Sequence, residues 1–481
     1  MVFSSTPFIF LFLPIVLALY HIYFRGMRHA QNMLLLLASL LFYAWGEYPS
    51  EGWRFLPLCL MLGSIGMNYA FGLWVHRWKK LCRYLTTPIV TAVSCNLALL
   101  FIFKYLNFTV KSLNGLGLGL TVPGIELPVG ISFFTFQALS YVLDVAMDKT
   151  EVQRSPLALG LYISFFPQLI AGPIVKYADV AYQIDNRKET WADFSAGCSR
   201  FLIGLGKKVL IANSVAKVAD RVFAMDPGGI STPMAWLGAL CYTFQIYYDF
   251  SGYSDMAIGL GKMFGFHFRE NFDHPYAATS ITNFWRRWHI SLSSWFRDYV
   301  YIPLGGNRVK PLLHLRNLFV VWLLTGLWHG ANWTFVVWGL CYFLLLTLEK
   351  YTRFSRRWIT PLQRLYTLLC VNFLWVLFRS DTLEYAGQFI LTMLGQNGIA
   401  QVESACVLWF RENLLILALA LFFSFPLASR IREALEDFRP GGVDLPLLWD
   451  ILYALALVGI GLLSCTYLVK ETYNPFIYFR F

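Results

Sequence analysis

Long apolar runs recur from one end of this sequence to the other, and they decide more about its fold than any single residue does. They cover residues 7–24, 31–45, 55–75, 86–103, 128–145, 156–174, 201–219, 234–256, 315–328, 333–348, 365–378, 414–425 and 447–469. A helix that crosses a bilayer needs about 20 mostly apolar residues. Several of these runs meet that length, and others are short or broken by Pro and Gly. The expectation is an all-α polytopic membrane protein with about 11 to 13 spans and some re-entrant and interfacial segments. Of the 481 residues, 57% are apolar and 14% charged. That leaves no stretch for a separate soluble module, so residues 1–481 read as one integral membrane domain. The first 24 residues lack a basic start and a small-residue cleavage site, and they read as the first span.

Charge sets the orientation. The loop after the first run carries Arg25 and Arg28, and the third loop carries Arg77, Lys79, Lys80 and Arg83. The loop between them holds Glu47, Glu51 and Arg54. Basic loops stay in the cytoplasm, so the N-terminus is expected outside, and with an odd number of spans the C-terminus as well. The formal net charge of +11 is explained by basic loops beside anionic lipid and calls for no nucleic acid. The nine cysteines are scattered without a CxxC pair or a Cys/His set at zinc spacing, which argues against a metal or redox site.

Residues 262–314 stand apart: too polar to span and too aromatic to be disordered. Within them lies "TNFWRRWHISLSSWFRDYVYIPLGG" (282–306). Wound as one helix, Phe284, Trp285, Trp288, Leu292, Trp295 and Tyr299 share a face, and Arg286, His289, Ser293 and Arg297 share the opposite one. The plain reading is an interfacial anchor on the cytoplasmic side. The sharper one is that the basic face receives a polyanionic, phosphate-bearing ligand.

"LTGLWHGANWTFVVWG" (324–339) places His329 between two apolar runs. An ionisable side chain there is a functional candidate, and a desolvated imidazole is neutral and able to accept a proton. That suits a general base for a hydroxyl attacking an acyl group. The competing reading is a buried histidine satisfied by a helix partner. Asp249 and Asp255, in "YTFQIYYDFSGYSDMAIGLGKMFGF" (242–266), are expected to knit helices together. Asn271, Asp273 and His274, in "RENFDHPYAATS", read as a loop where the chain leaves the membrane, and Asp144 and Gln168 receive no role from the sequence.

Taken together, "PVGISFFTFQALSYVLDV", "FFPQLIAGPIVKY", "YYDFSGYSDMAIGLGKMFGF", "NFDHPYAATSITNFWRRWHISLSSWFRDYVYIPLGGNR" and "GLWHGANWTFVVWG" resemble the membrane-bound O-acyltransferase family. The likeness is strongest to its bacterial branch, typified by the alginate O-acetylation membrane protein, and it runs over nearly the whole chain. It implies a ring of helices around a central tunnel in the bacterial inner membrane. It implies that the family's invariant histidine is His329, near the middle, and that its second polar position is His289, at the cytoplasmic side. It implies acetyl-CoA as a donor substrate with no permanently bound cofactor. Arg286, Arg287 and Arg297 then become candidates for the coenzyme A phosphates. A periplasmic SGNH-type acetyltransferase, or another polysaccharide-modifying partner, would take the acetyl group onward.

The aromatic end "YNPFIYFRF" (473–481) fits a belt at the outer interface. "FIYFRF" also resembles the C-terminal motif of the small membrane peptide that accompanies the family's teichoic-acid D-alanylation transferase. By that resemblance Tyr478 is a candidate acyl relay. Two other functions compete with polysaccharide O-acetylation. One is transfer of a D-alanyl or other acyl group from a carrier protein. The other is transport, although the paired halves common in transporters are not evident.

Overall fold

The computed structural model describes residues 2–46, 55–170, 172–437, 445–470 and 473–475. Among these every regular element is a helix, and the β contact present is an isolated bridge between Ser231 and Ile399. Among the described residues seven helices are long and apolar enough to cross a membrane: Leu56–Lys80, Thr86–Asn114, Pro311–His329, Trp333–Thr352, Thr360–Arg379, Ser404–Phe423 and Leu448–Lys470. That is fewer than the sequence suggests, because several apolar runs fold into shorter or more polar pieces. Residues 128–145 give the short helix Ile131–Ala146. The run at 156–174 breaks at Phe165, ahead of Pro167, into Pro156–Ser164 and Phe166–Leu169. Residues 201–219 pass through a π-turn, Lys207–Ala212, that carries two lysines.

The chain divides into two compact units, each assembled from three stretches. The first comprises Met1–Phe201, Met256–Arg269 and Ser294–Val300. Its core is aromatic, with Phe8, Phe12, Phe42 and Phe166 in mutual contact. Helix Ile131–Ala146 is buried along nearly its whole length, so its apolar residues meet protein. Inside this unit several buried polar groups are paired. Asn68 and Asn96 exchange amide hydrogen bonds between neighbouring helices. Asp144 accepts from the Tyr299 hydroxyl at 2.6 Å and from the Ala178 N–H at 3.2 Å. The Gln168 amide donates to the Tyr162 carbonyl. These contacts give Asp144 and Gln168 structural work.

The second unit comprises Leu202–Asp255, Glu270–Ser293 and Tyr301–Phe481. Its centre is a cluster of indoles and phenols. Trp285 meets Trp322, Trp338 and Tyr342, and Trp288 meets Trp375. Asp249 and Asp255, on helix Thr232–Met263, pair with Lys208 and Lys207, each at 2.6 Å. Close helix approach makes this possible: a Cβ on Gly252 would lie 2.8 Å from the Gly204 carbonyl oxygen. The two carboxylates do knit helices, and consecutive lysines on the π-turn are their partners.

Candidate functional site

His329 is the last residue of helix Pro311–His329. The chain then turns through extended Gly330 into helix Trp333–Thr352, whose N-cap Asn332 accepts from the Thr334 N–H at 3.2 Å. The two helices pack with their backbones in contact. A Cβ on Gly326 would overlap the Phe335 carbonyl oxygen, and one on Gly339 the Trp322 carbonyl oxygen. A side chain on Gly330 would strike the Phe335 ring. Small residues bring the helices together here, as they do in membrane helix pairs generally. Asn332 also donates to the Asp381 carbonyl at 2.8 Å. Its amide thus caps the helix with oxygen and ties the turn to Asp381 with nitrogen.

The helix end delivers His329 into an aromatic box. Its ring centroid lies 5.2 Å from Trp328, 5.0 Å from Trp338 and 5.2 Å from Phe378, all edge to face. The residue is 5% exposed.

The sequence expectation for residues 284–299 needs correction. They do not form one helix. Ile281–Arg287 ends before Trp288, His289 adopts a left-handed conformation at φ 45°, and a second helix runs over Ile290–Phe296. The break rotates His289 off the solvent face on which a continuous helix puts it. His289 is 0% exposed. The six apolar residues are buried as expected, but against protein: Trp285 and Trp288 in the second unit, Trp295 on Phe136 in the first. This face is core and not an interfacial anchor. The first short helix is held at its start by Glu349, whose carboxylate accepts from the Ile281 and Thr282 N–H groups at 2.7 and 3.0 Å. Ser280 caps the same end through the Asn283 N–H.

His289 and His329 therefore share one locality, with ring centroids 6.5 Å apart. At that spacing a direct bond between ring nitrogens is out of reach. Phe250 and Trp328 close around His289 at 4.6 and 5.7 Å. Burial, reinforced by the neighbouring His329, holds the His289 imidazole well below its usual range. Its Nδ1 lies 3.2 Å from Asn271 Oδ1. Among the described residues its buried Nε2 has no hydrogen-bond partner.

The three arginines differ in exposure and in partners. Arg286 is exposed. Arg287 pairs with Asp273 at 3.1 Å. Arg297 pairs with Asp298 at 2.8 Å and belongs to the other unit. The continuous basic face disappears with the continuous helix. Tyr478 lies outside the described residues. The residues just before it are tied to the second unit. The Tyr473 hydroxyl donates to Asp220 at 2.5 Å, Asn213 donates to the Asn474 side chain at 3.2 Å, and Lys208 donates to the Pro475 carbonyl. Asp220 also pairs with Arg379, the neighbour of Phe378.

Asn271 is the residue that sequence reasoning passed over. In the sequence it is one polar residue in a loop, and only the fold puts its amide against an imidazole 18 positions away.

The sequence model described as MBOAT, membrane-bound O-acyltransferase family, matches residues 67–383. The chain is 40% identical to the probable alginate O-acetylase AlgI of Azotobacter vinelandii, covering all of both proteins. It is 37% identical to the peptidoglycan O-acetyltransferase of Helicobacter pylori, over 83% of this chain and 81% of that protein. It is 31% identical to the teichoic acid D-alanyltransferase of Bacillus subtilis, over 50% of this chain and 64% of that protein.

Proposed function

The chain belongs to the membrane-bound O-acyltransferase family, and from that premise we propose that it carries an acetyl group from cytoplasmic acetyl-CoA across the bacterial inner membrane for O-acetylation of an exported polysaccharide. The observation that carries this reading is the buried pair of His289 and His329, 6.5 Å apart in an aromatic enclosure. A thioester is already activated. Its transfer needs a proton acceptor for the incoming hydroxyl and a site from which bulk water is kept. The pair offers two imidazoles, and the indoles around them keep water away.

In the proposed step His329 takes the proton of the attacking hydroxyl as that oxygen bonds to the acetyl carbon. The carbon–sulfur bond breaks, sulfur keeps the electron pair, and the imidazolium returns the proton to the coenzyme A thiolate. Tyr478 is the proposed first acceptor. Support comes from the preceding residues, Tyr473 to Pro475, which are fastened by three polar contacts to the unit that holds both histidines. A phenyl ester stays activated enough for a periplasmic SGNH-type acetyltransferase to receive the acetyl group. Both termini then face the periplasm. Acetyl-CoA acts as substrate, and Arg286, Arg287 and Arg297 remain the proposed phosphate contacts, Arg286 foremost because it is exposed.

Acetyl is favoured over D-alanyl because the relatives named as O-acetylating enzymes align over most or all of the chain and the D-alanyl relative over half. Family membership removes the case for a transporter. The test is peptide mass spectrometry of the purified full chain after incubation with acetyl-CoA, beside His329→Ala and Tyr478→Phe. An acetyl group on Tyr478 that is lost in His329→Ala supports the base and the relay together. Undiminished acetyl transfer to the periplasmic partner by Tyr478→Phe removes the relay. Coenzyme A release unchanged in His329→Ala removes the base.

A further inference from the structure

We infer that Asn271 is a positioning residue for His289, fixing the imidazole in the tautomer that offers a bare Nε2 lone pair to the gap shared with His329. The inference rests on the proposed role of the histidine pair and follows from which groups can only donate. Asn271 Oδ1 receives the Ser291 N–H at 3.2 Å and the Ser291 hydroxyl at 2.8 Å. A backbone N–H cannot accept, so the amide must face it with oxygen. The reversed amide would set two donors against each other. The amide nitrogen then meets Ser254 Oγ at 3.0 Å.

An amide oxygen cannot donate. The Nδ1 of His289, 3.2 Å from that oxygen, therefore carries the hydrogen, and in a neutral imidazole the other nitrogen is then the acceptor. The backbone reinforces the arrangement. His289 sits at φ 45°, a conformation that costs a side-chain-bearing residue energy, and the Ile290 N–H that follows is received by the Asn271 carbonyl at 3.0 Å. One residue thus holds both the turn and the tautomer. The groups packed on the imidazole are Phe250, Trp328 and His329 from two helices, and Ser291 from its own segment. Of these, His329 is the one that titrates.

The experiment uses the full chain in detergent with acetyl-CoA as the probe. It follows coenzyme A release from pH 5 to 9 and the thermal unfolding midpoint over the same range, for wild type, Asn271→Ala, Asn271→Asp and His289→Gln. Misplacing a reacting group by about 1 Å can cost about 10²-fold, and a loss of that order is expected for Asn271→Ala with KM for acetyl-CoA unchanged. Aspartate keeps the acceptor and adds a negative charge. A carboxylate this close favours the imidazolium by about 1–3 pH units, so the acid limb of Asn271→Asp should move upward by at least one unit, with activity retained at the alkaline end. The unfolding midpoint should lose its fall at low pH in the same variant. An acid limb and a midpoint profile that both coincide with wild type would reduce Asn271 to a loop brace and overturn the inference. Full coenzyme A release by His289→Gln would instead overturn the role of His289, and the midpoint series would still judge the Asn271 contact.

Discussion

His289 and His329 end up side by side, yet the chain brings them there by opposite means. His329 is the end of a regular helix, closed by Gly330 and by the Asn332 cap, within a hairpin whose packing is set by glycines a few residues away. His289 sits in a left-handed break between two helices of seven residues each, held from outside by Asn271 and Glu349. Helices that short do not persist on their own. The hairpin carries its geometry with it, and the broken segment borrows its geometry from distant residues. One histidine is thereby fixed to a stiff support, and the other can be adjusted by changes far from it in sequence.

The largest effect that would separate the two regions is on chemistry. His329→Ala should lower coenzyme A release by about 10²–10⁴-fold, the usual contribution of a general base, while the unfolding midpoint stays near wild type. A comparable loss of the midpoint would mean that the residue is chiefly packing. Next comes the hairpin itself. Gly326→Leu forces a side chain into the Phe335 carbonyl and should cost about 1–3 kcal/mol or more of stability. A folded, active Gly326→Leu protein would show that the close backbone contact is dispensable.

Glu349→Ala attacks the other region. It strips two backbone N–H groups of a buried acceptor, at about 1–3 kcal/mol for each unsatisfied group. Activity should fall while a cross-link between cysteines placed across the 311–352 hairpin forms as readily as before. Disruption of that cross-link would show the two regions to be one cooperative element.

The smallest effect is that of pH. An unfolded histidine titrates near 6.5, and His289 in the fold titrates well below that because it is buried, with His329 beside it. As pH falls, the unfolded chain takes up the proton first. The stability linked to His289 is therefore whole above about pH 6.5 and is lost as pH drops toward the folded value, by at most about 1.4 kcal/mol per unit. His289→Gln should flatten this slope, and an unaltered slope would assign it to another group.

What could be read without coordinates was whatever is encoded locally. Apolar length announced a polytopic helical membrane protein. The run of motifs pointed to the family. The apolar runs on either side of His329 placed it between two helices. The carboxylates of helix Thr232–Met263 tie helices as their apolar surroundings imply, while their lysine partners, more than 40 positions away, leave no local sign.

Fold class, family and the place of His329 between two apolar runs follow from the order of residues alone. The burial of His289 beside it, the hold of Asn271 and the pairing of Arg287 with Asp273 come from the tertiary fold. The physical reason is that a 3.6-residue periodicity assumes an unbroken helix. It predicts a polar face correctly until one residue turns left-handed, and here that turn is held by an amide 18 positions away.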